Sequence, residues 1–279
     1  MEKSAEMEVS GSDYLQGIPA YYSFTQKSKI MARQNGIIKI DGTLENLTFY
    51  KTQDGNLVKT KSGVSADRIA NDPNFQRTRE NGVEFGNAAT AGKLLRDSVR
   101  NLMMNASDNR ITSRITQVMT DIKNMDTTSV RGKRTVAVGI GVAAGRALLK
   151  GLNFNDSAIL GAILYKPYVV NTTTGVITIA GLVPQTDIAY PTGATHLSLT
   201  GAMGNVNFAT GIWDVRLTNI QNLAINTTST AVTLTPTALP AGTVTKLFLI
   251  KIEFFQLLNA VQYPLKSGAY NTLAIIETA

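Results

Sequence analysis

The charged residues of this chain are concentrated in its N-terminal half. Of 27 Lys/Arg and 20 Asp/Glu side chains, residues 151–279 hold only five of each kind, so that half has no net charge. The whole formal charge of +7 therefore lies in residues 1–150. Hydrophobic spacing changes at nearly the same place, from helix-like to strand-like. Halves with different charge and periodicity are typical of two structural modules.

The first clear unit is a small antiparallel meander that begins near Gly36. Apolar and polar residues alternate around Leu47 and Phe49. Asp54-Gly55 then separates two extended runs, and this dipeptide readily adopts the positive φ angles of a tight hairpin turn. The pattern predicts a meander with lysines on its wet face or edge.

Residues 1–30 are interpreted as an extension or arm outside the core. They are rich in Glu, Ser and Gly, and the residues from Met31 onward are typical of a translation start. The arm contains one aromatic cluster, which supplies three candidate self-association residues: Tyr21, Tyr22 and Phe24.

A helical segment follows the meander. Asp72-Pro73 is typical of a helix start, and apolar residues recur at helical spacing from Leu95 to Leu102. Asp108 is a candidate cap for a second helix, and the two helices are expected to pack as an antiparallel pair. The apolar stripe of the second helix comprises Ile111, Ile115, Val118 and Ile122.

From about Tyr165 the hydrophobic period becomes two. Short apolar runs alternate with turns rich in Thr, Asn, Pro and Gly, which predicts an antiparallel β-sandwich of immunoglobulin-like or fibronectin III-like type. Only Trp213 is available for the core tryptophan of such a module. The predicted strands are 176–179, 196–199, 212–217, 232–234, 247–255, 261–265 and 273–276. The fold class is therefore α+β, with a meander plus helical domain at 31–155 and a sandwich domain at 156–279.

The predicted strand at 247–255 carries large apolar groups on both faces. A strand of this kind needs cover on both sides, which either the helical half or another subunit can provide. Phe248 and Phe254 are therefore candidate self-association residues.

The helical segment also carries the densest basic residues. Phosphate binding requires clustered Lys/Arg, but single-strand binding adds interleaved aromatics. The only aromatic residues between 72 and 150 are Phe75 and Phe85. A solvated helix face is the competing interpretation of these basic residues. The candidate phosphate or nucleic-acid contacts are Lys93, Arg96, Arg100, Arg110, Arg114, Arg131, Lys133 and Arg134.

Gly139, Gly141 and Gly145 follow a β-like run and resemble a dinucleotide-binding turn. No βαβ repeat surrounds them, and the next unit is antiparallel. A small-residue helix packed closely on a neighbour is the favoured interpretation, and no cofactor is predicted.

Residue types exclude several kinds of catalytic and metal site. The chain has no cysteine, which excludes thiolate metal sites and cysteine nucleophiles. Its single histidine, His196, lies in a strand-like run, so a multi-histidine metal site within one chain is excluded. No pair of carboxylates is close in sequence in the C-terminal half. A non-enzymatic protein is predicted.

No apolar run reaches the roughly 18–20 residues of a membrane-spanning helix. The first residues also lack the basic start and apolar stretch of a secretory signal. A soluble, cytoplasmic protein without a membrane span is expected.

Several segments resemble an uncharacterised group of proteins that is frequent in Bacteroidetes genomes. The resemblance runs from Met31 to near the end of the chain. It implies a bacterial source and carries no activity. The segments are MARQNGIIKI (31–40), FYKT (49–52), NFQRTREN (74–81), TSVRG (128–132) and EFFQ (253–256).

Taken together, the sequence predicts a non-enzymatic structural or self-assembling protein, a homo-oligomer or filament subunit. The alternative hypothesis is a nucleic-acid-binding protein that uses the basic helical half. Low charge density in the C-terminal half favours the first, because close contact between like subunits then has a small desolvation cost.

Overall fold

The computed structural model describes residues 32–33, 40–60 and 63–279, and the chain divides into two compact units. The N-terminal unit is Met1–Ser65 and the C-terminal unit is Ala66–Ala279. The predicted α+β class is confirmed, with a meander, a helical segment and an antiparallel sandwich. The predicted boundary at 155/156 falls inside the C-terminal unit, because the helices share a core with the sandwich.

The N-terminal unit contains an antiparallel sheet in the order β1-β4-β3-β2. Phe49 lies opposite Val58 and Thr52 lies opposite Gly55. The hairpin forms at the predicted place, but its two turn residues are Gln53 and Asp54 rather than Asp54 and Gly55. Gly55 is the first residue of the returning strand and has φ +116°, which L-residues rarely adopt. The strands are β1 (Ala32–Arg33), β2 (Gly42–Leu44), β3 (Leu47–Thr52) and β4 (Gly55–Thr60).

The C-terminal unit begins with helices. The helices are α1 (Ala66–Asn71), a 3-10 turn (Pro73–Phe75), α2 (Gln76–Ser98), α3 (Arg100–Met103), α4 (Ile111–Asn124), α5 (Val136–Gly139), α6 (Ala143–Ala147), α7 (Leu160–Ile163) and α8 (Pro184–Asp187). The Asp72 side chain accepts from the Asn74 N–H and caps the 3-10 turn. Helices α2 and α4 run antiparallel, since Glu84 contacts Lys123 and Gly92 lies beside Ile115.

The two helical stripes face the core as predicted. Leu95 and Ile115 are fully buried, whereas Val118 is only partly buried and the adjacent Met119 occupies the core. Helix α4 begins at Ile111 with Arg110 at the N-cap position. Asp108 therefore lies outside the helix, where its carboxylate accepts from the Arg110 N–H at 2.7 Å.

Every predicted strand of the C-terminal half is present, most of them longer than the sequence pattern. The strands are β5 (Val169–Val170), β6 (Ile177–Leu182), β7 (His196–Val206), β8 (Trp213–Ala224), β9 (Thr230–Leu234), β10 (Thr245–Leu258), β11 (Val261–Leu265) and β12 (Thr272–Thr278). A five-stranded antiparallel sheet has the order β11-β10-β7-β8, with β12 also pairing β10, and a second sheet has the order β5-β6-β9.

The five-stranded sheet is the middle layer of the C-terminal unit. On β10, Phe248 and Phe254 pack against the three-stranded sheet, while Leu247 and Leu249 pack against the helices. The two apolar faces of this strand are thus both covered within one chain.

Trp213 does not occupy a core position. It lies on the edge strand β8 and is 44% exposed. The interior is filled instead by aliphatic residues with Phe248 and Phe254. The narrower likeness to immunoglobulin or fibronectin III modules stays a prediction. Within the described ranges, no helix is both long and apolar enough to cross a membrane.

Candidate association surface

The register of the N-terminal sheet gathers apolar side chains on one face. Residues directly opposite each other, and residues two apart on a strand, share a face. Leu44 pairs with Leu47 and Phe49 pairs with Val58, so these four residues form a continuous set, which the polar pair Lys51 and Asn56 borders on the same face. We call this set the apolar face of the meander.

The opposite face carries both polar and apolar residues. Tyr50 pairs with Leu57 and Thr48 pairs with Lys59 there, and the Thr48 hydroxyl lies 3.3 Å from that of Thr43. The Lys59 ammonium sits 5.3 Å from the centre of the Tyr50 ring, a cation–π distance. Both faces therefore carry apolar residues, and the apolar face of the meander is the larger apolar set.

The apolar face of the meander remains accessible. Leu44 is 62% and Leu47 42% exposed, and Phe49 and Val58 are half-buried. None of the residues in the ranges 40–60 and 63–65 is buried. A small sheet needs a packed hydrophobic face for stability, and full burial of one leucine contributes about 1.5–3 kcal/mol. Contact with a further surface would therefore stabilise this unit.

No protein-family model, curated protein or solved structure matches this chain.

The predicted association residues on β10 occupy a different place. Phe248 and Phe254 have no exposed surface, and Phe254 packs edge-to-face on Tyr270 with ring centres 6.3 Å apart. Their proposed role in self-association is corrected, because side chains enclosed between two sheets cannot reach another subunit. Tyr21, Tyr22 and Phe24 lie outside the described residues.

Three of the eight candidate phosphate contacts are engaged with carboxylates. Arg114 forms two hydrogen bonds with Asp108, at 3.0 and 2.7 Å, and a further ion pair with Asp156. Arg131 donates to Glu80 at 2.6 Å. Arg134, the third, donates from both Nε and Nη2 to the buried carboxylate of Glu84. These contacts give Arg114 and Arg134 a structural role in the fold, whereas Arg131, 59% exposed, forms a surface ion pair.

The other candidates are dispersed. Lys93 and Arg100 are exposed on α2 and α3, and Arg110 precedes α4. Lys133 is exposed in the loop before α5, whereas Arg96 is half-buried beside Gly92. Lys93 and Arg96 share α2, and Arg131, Lys133 and Arg134 share one loop, where two of the three are paired with acids.

Glu84 is the buried centre of an ion-pair cluster. Its carboxylate accepts from Lys123 at 2.7 Å, from Arg134 at 2.7 and 2.9 Å, and from the Gly132 N–H at 2.8 Å. The Arg134 guanidinium, together with Lys123, lowers the pKa of Glu84 from 4.5 to about 2. The cluster ties the basic loop to α2 and α4.

Asp126 fixes the same loop from its other end. Burial raises the pKa of this carboxyl, but hydrogen bonds from Ser129, Thr135 and Thr128 outweigh burial and hold the pKa well below its usual range. Sequence reasoning missed the roles of both acids. The cationic partners of Glu84 are distant in the sequence, and Asp126 accepts from backbone N–H groups of its own loop. Glu84 and Lys123 are 39 residues apart.

The glycine-rich segment serves close packing. Residues Val136–Gly139 form a short helix rather than a strand, capped by Thr135, so no strand precedes the glycines. A Cβ on Gly139 would lie 1.9 Å from the Ile122 carbonyl oxygen, and one on Gly145 would lie 2.0 Å from that of Gly139. These contacts support the helix-packing interpretation over a dinucleotide turn.

His196 begins β7, with its Nδ1 3.0 Å from the Thr195 hydroxyl. Among the residues that the structure describes, no group of three or more His, Cys, Asp or Glu side chains is arranged to hold a metal ion.

Proposed function

We propose that this protein is a structural, self-associating subunit that forms homo-oligomers or filaments through the apolar face of the meander. The observation that carries the proposal is that Leu44, Leu47, Phe49 and Val58 share one face of the sheet, while no residue in the ranges 40–60 and 63–65 is buried. Apolar patches of this kind mark interaction sites. A second copy supplies an identical apolar face.

Charge supports contact between like copies. The four members of the apolar face are uncharged, and residues 151–279 have no net charge. Two copies can therefore approach without desolvating many ions. If the same patch is used on both copies, the contact closes as a dimer, and if different patches are used, a ring or filament follows.

The test compares two lysine substitutions on the same strand. Leu47→Lys places an ammonium on the apolar face of the meander, whereas Thr48→Lys places it on the opposite face, across from Lys59. Loss of one buried leucine is worth about 1.5–3 kcal/mol, so Leu47→Lys is expected to weaken self-association by about tenfold or more. Sedimentation velocity across concentration measures the effect.

Thr48→Lys is the matched control and should leave the association constant within about twofold, since an exposed substitution away from a contact changes energies by ~0.5 kcal/mol or less. A wild-type chain that stays monomeric at high micromolar concentration contradicts the proposed function. Equal weakening by both lysines would show that charge, rather than the apolar face, controls assembly.

A further inference from the structure

Two adjoining cavities of the C-terminal unit form one open groove beside Phe208. Their volumes are about 560 and 620 Å³, and both are lined by Ala137, Phe208 and Ala209. These sizes lie within the range of ligand sites. Val138 and Val244 on the walls are 41% and 45% exposed. The groove therefore offers apolar surface with room for aromatic side chains.

Arg146 is the only charged side chain among the residues lining this groove. Its Nη1 donates to the backbone carbonyls of Ile140 at 3.3 Å and Gly141 at 2.8 Å. Within the described residues it forms no ion pair, unlike Arg131 and Arg134. One end of an apolar groove thus presents a guanidinium that can pair with a carboxylate.

We propose that this groove binds the N-terminal arm, residues 1–30, of a neighbouring copy. The inference rests on the proposed self-association and names a second contact for it. The four acids of the arm, Glu2, Glu6, Glu8 and Asp13, lie in its first 13 residues, which carry a net charge of −3 with Lys3, whereas Lys27 and Lys29 lie at its other end. The whole arm has a net charge of −1, so residues 31–279 carry +8, and the acidic start of the arm complements Arg146 in the groove.

The arm also has the side chains that an apolar groove accepts. Its aromatic residues are Tyr14, Tyr21, Tyr22 and Phe24. Aromatic groups are enriched at the buried centres of protein interfaces. In addition, 31 residues precede β1, which is enough chain to span up to about 100 Å when extended. A contact between an arm and a groove uses two different patches, so it propagates from copy to copy.

Photo-cross-linking of the full chain tests the assignment. Tyr22 is replaced by benzoylphenylalanine, and copies labelled with ¹⁵N are mixed with unlabelled copies before irradiation. Mass spectrometry of the digest should find cross-links from position 22 to the segments that line the groove, in pairs of mixed isotope. These segments are 87–94, 135–146, 206–211 and 243–245. Cross-links only within one copy, or only to other segments, overturn the proposal.

A charge substitution in the groove provides a second, independent test. Val244→Glu sets a carboxylate against the acidic arm, and such like-charge contacts cost several kcal/mol, so the cross-link yield should fall by about tenfold. Val169→Glu, at a valine that is 69% exposed on β5, is the matched control and should keep the yield. Equal loss in both variants counts against the groove.

Sedimentation of the same samples separates the two proposals. Oligomers without groove cross-links overturn the arm–groove contact and leave the proposed function standing. A monomer without mixed-isotope cross-links overturns both.

Discussion

At the scale of single residues, two buried acids, Glu84 and Asp126, hold the basic loop before α5, residues 131–135, in place. Glu84 is about 1% exposed and meets two cations and one backbone N–H. A buried ion pair is not automatically stabilising, but removal of one partner leaves a buried charge uncompensated. Arg134, one of the arginines that the sequence suggested for phosphate contact, is therefore part of the internal support of the fold.

Replacing Glu84 by glutamine is expected to lower the free energy of unfolding by about 3–5 kcal/mol, because Lys123 and Arg134 then lose their counter-charge. Urea denaturation at pH 7 measures the loss. Glu277→Gln is the matched control. Its partner Lys150 is 54% exposed, and exposed pairs contribute about 1 kcal/mol or less.

The same variant should show a pH signature. The folded-state pKa of Glu84 is about 2, below its ordinary value of 4.5. A depressed carboxyl pKa stabilises the fold fully above the unfolded pKa, and the contribution is lost as the pH falls through the folded value. The difference between wild type and Glu84→Gln should therefore shrink between pH 4.5 and about 2. A constant difference across this window would contradict the carboxylate's role.

At the scale of elements, helix α5 sits directly on the end of α4. The Gly139 Cα lies so close to the Ile122 carbonyl that an added methyl would come within 1.9 Å of its oxygen. Backbone atoms cannot rotate away as a flexible side chain can, so the two elements would have to separate.

Gly139→Ala is accordingly expected to destabilise the protein by about 1–3 kcal/mol or more. Gly82→Ala is the control. It lies inside α2, where an added methyl group would meet no other atom within 4 Å, and alanine in an exposed helix interior is favoured over glycine by up to about 1 kcal/mol. Thermal melts of the two variants should move in opposite directions. A neutral Gly139→Ala would contradict the close approach.

The local sequence pattern predicted which segments form helices and strands, but it did not predict which elements pack against each other. The strand at 247–255 and the stripe through Ile115 were predictable because period two and period 3.6 are written in consecutive residues. The sequence did not predict that the helices cover the second apolar face of β10, because the choice between the helical half and another subunit depends on long-range contacts. The Glu84 cluster was missed for the same reason, and Trp213 was assigned to a core position by analogy alone.

At the scale of the whole molecule, the helices and the sandwich depend on each other. Leu247 and Leu249 of β10 and Leu273 and Ile275 of β12 belong to the same core as α2 and α4. The link is reinforced at the edge of β12, where the Gly151 N–H donates to Ile275 and the Phe154 N–H donates to Leu273. The predicted division into 31–155 and 156–279 would cut through these contacts.

Two fragments test this dependence. Residues 66–279 keep the shared core and should unfold in one cooperative transition. Residues 156–279 expose the four large aliphatic side chains of β10 and β12, a loss of about 6–12 kcal/mol at 1.5–3 kcal/mol each. That is comparable to the whole stability of a typical domain, about 5–15 kcal/mol, so the shorter fragment should show no cooperative transition. Calorimetry of both fragments decides: a cooperative melt of residues 156–279 near the temperature of the longer fragment would show that the sandwich does not need its helical layer.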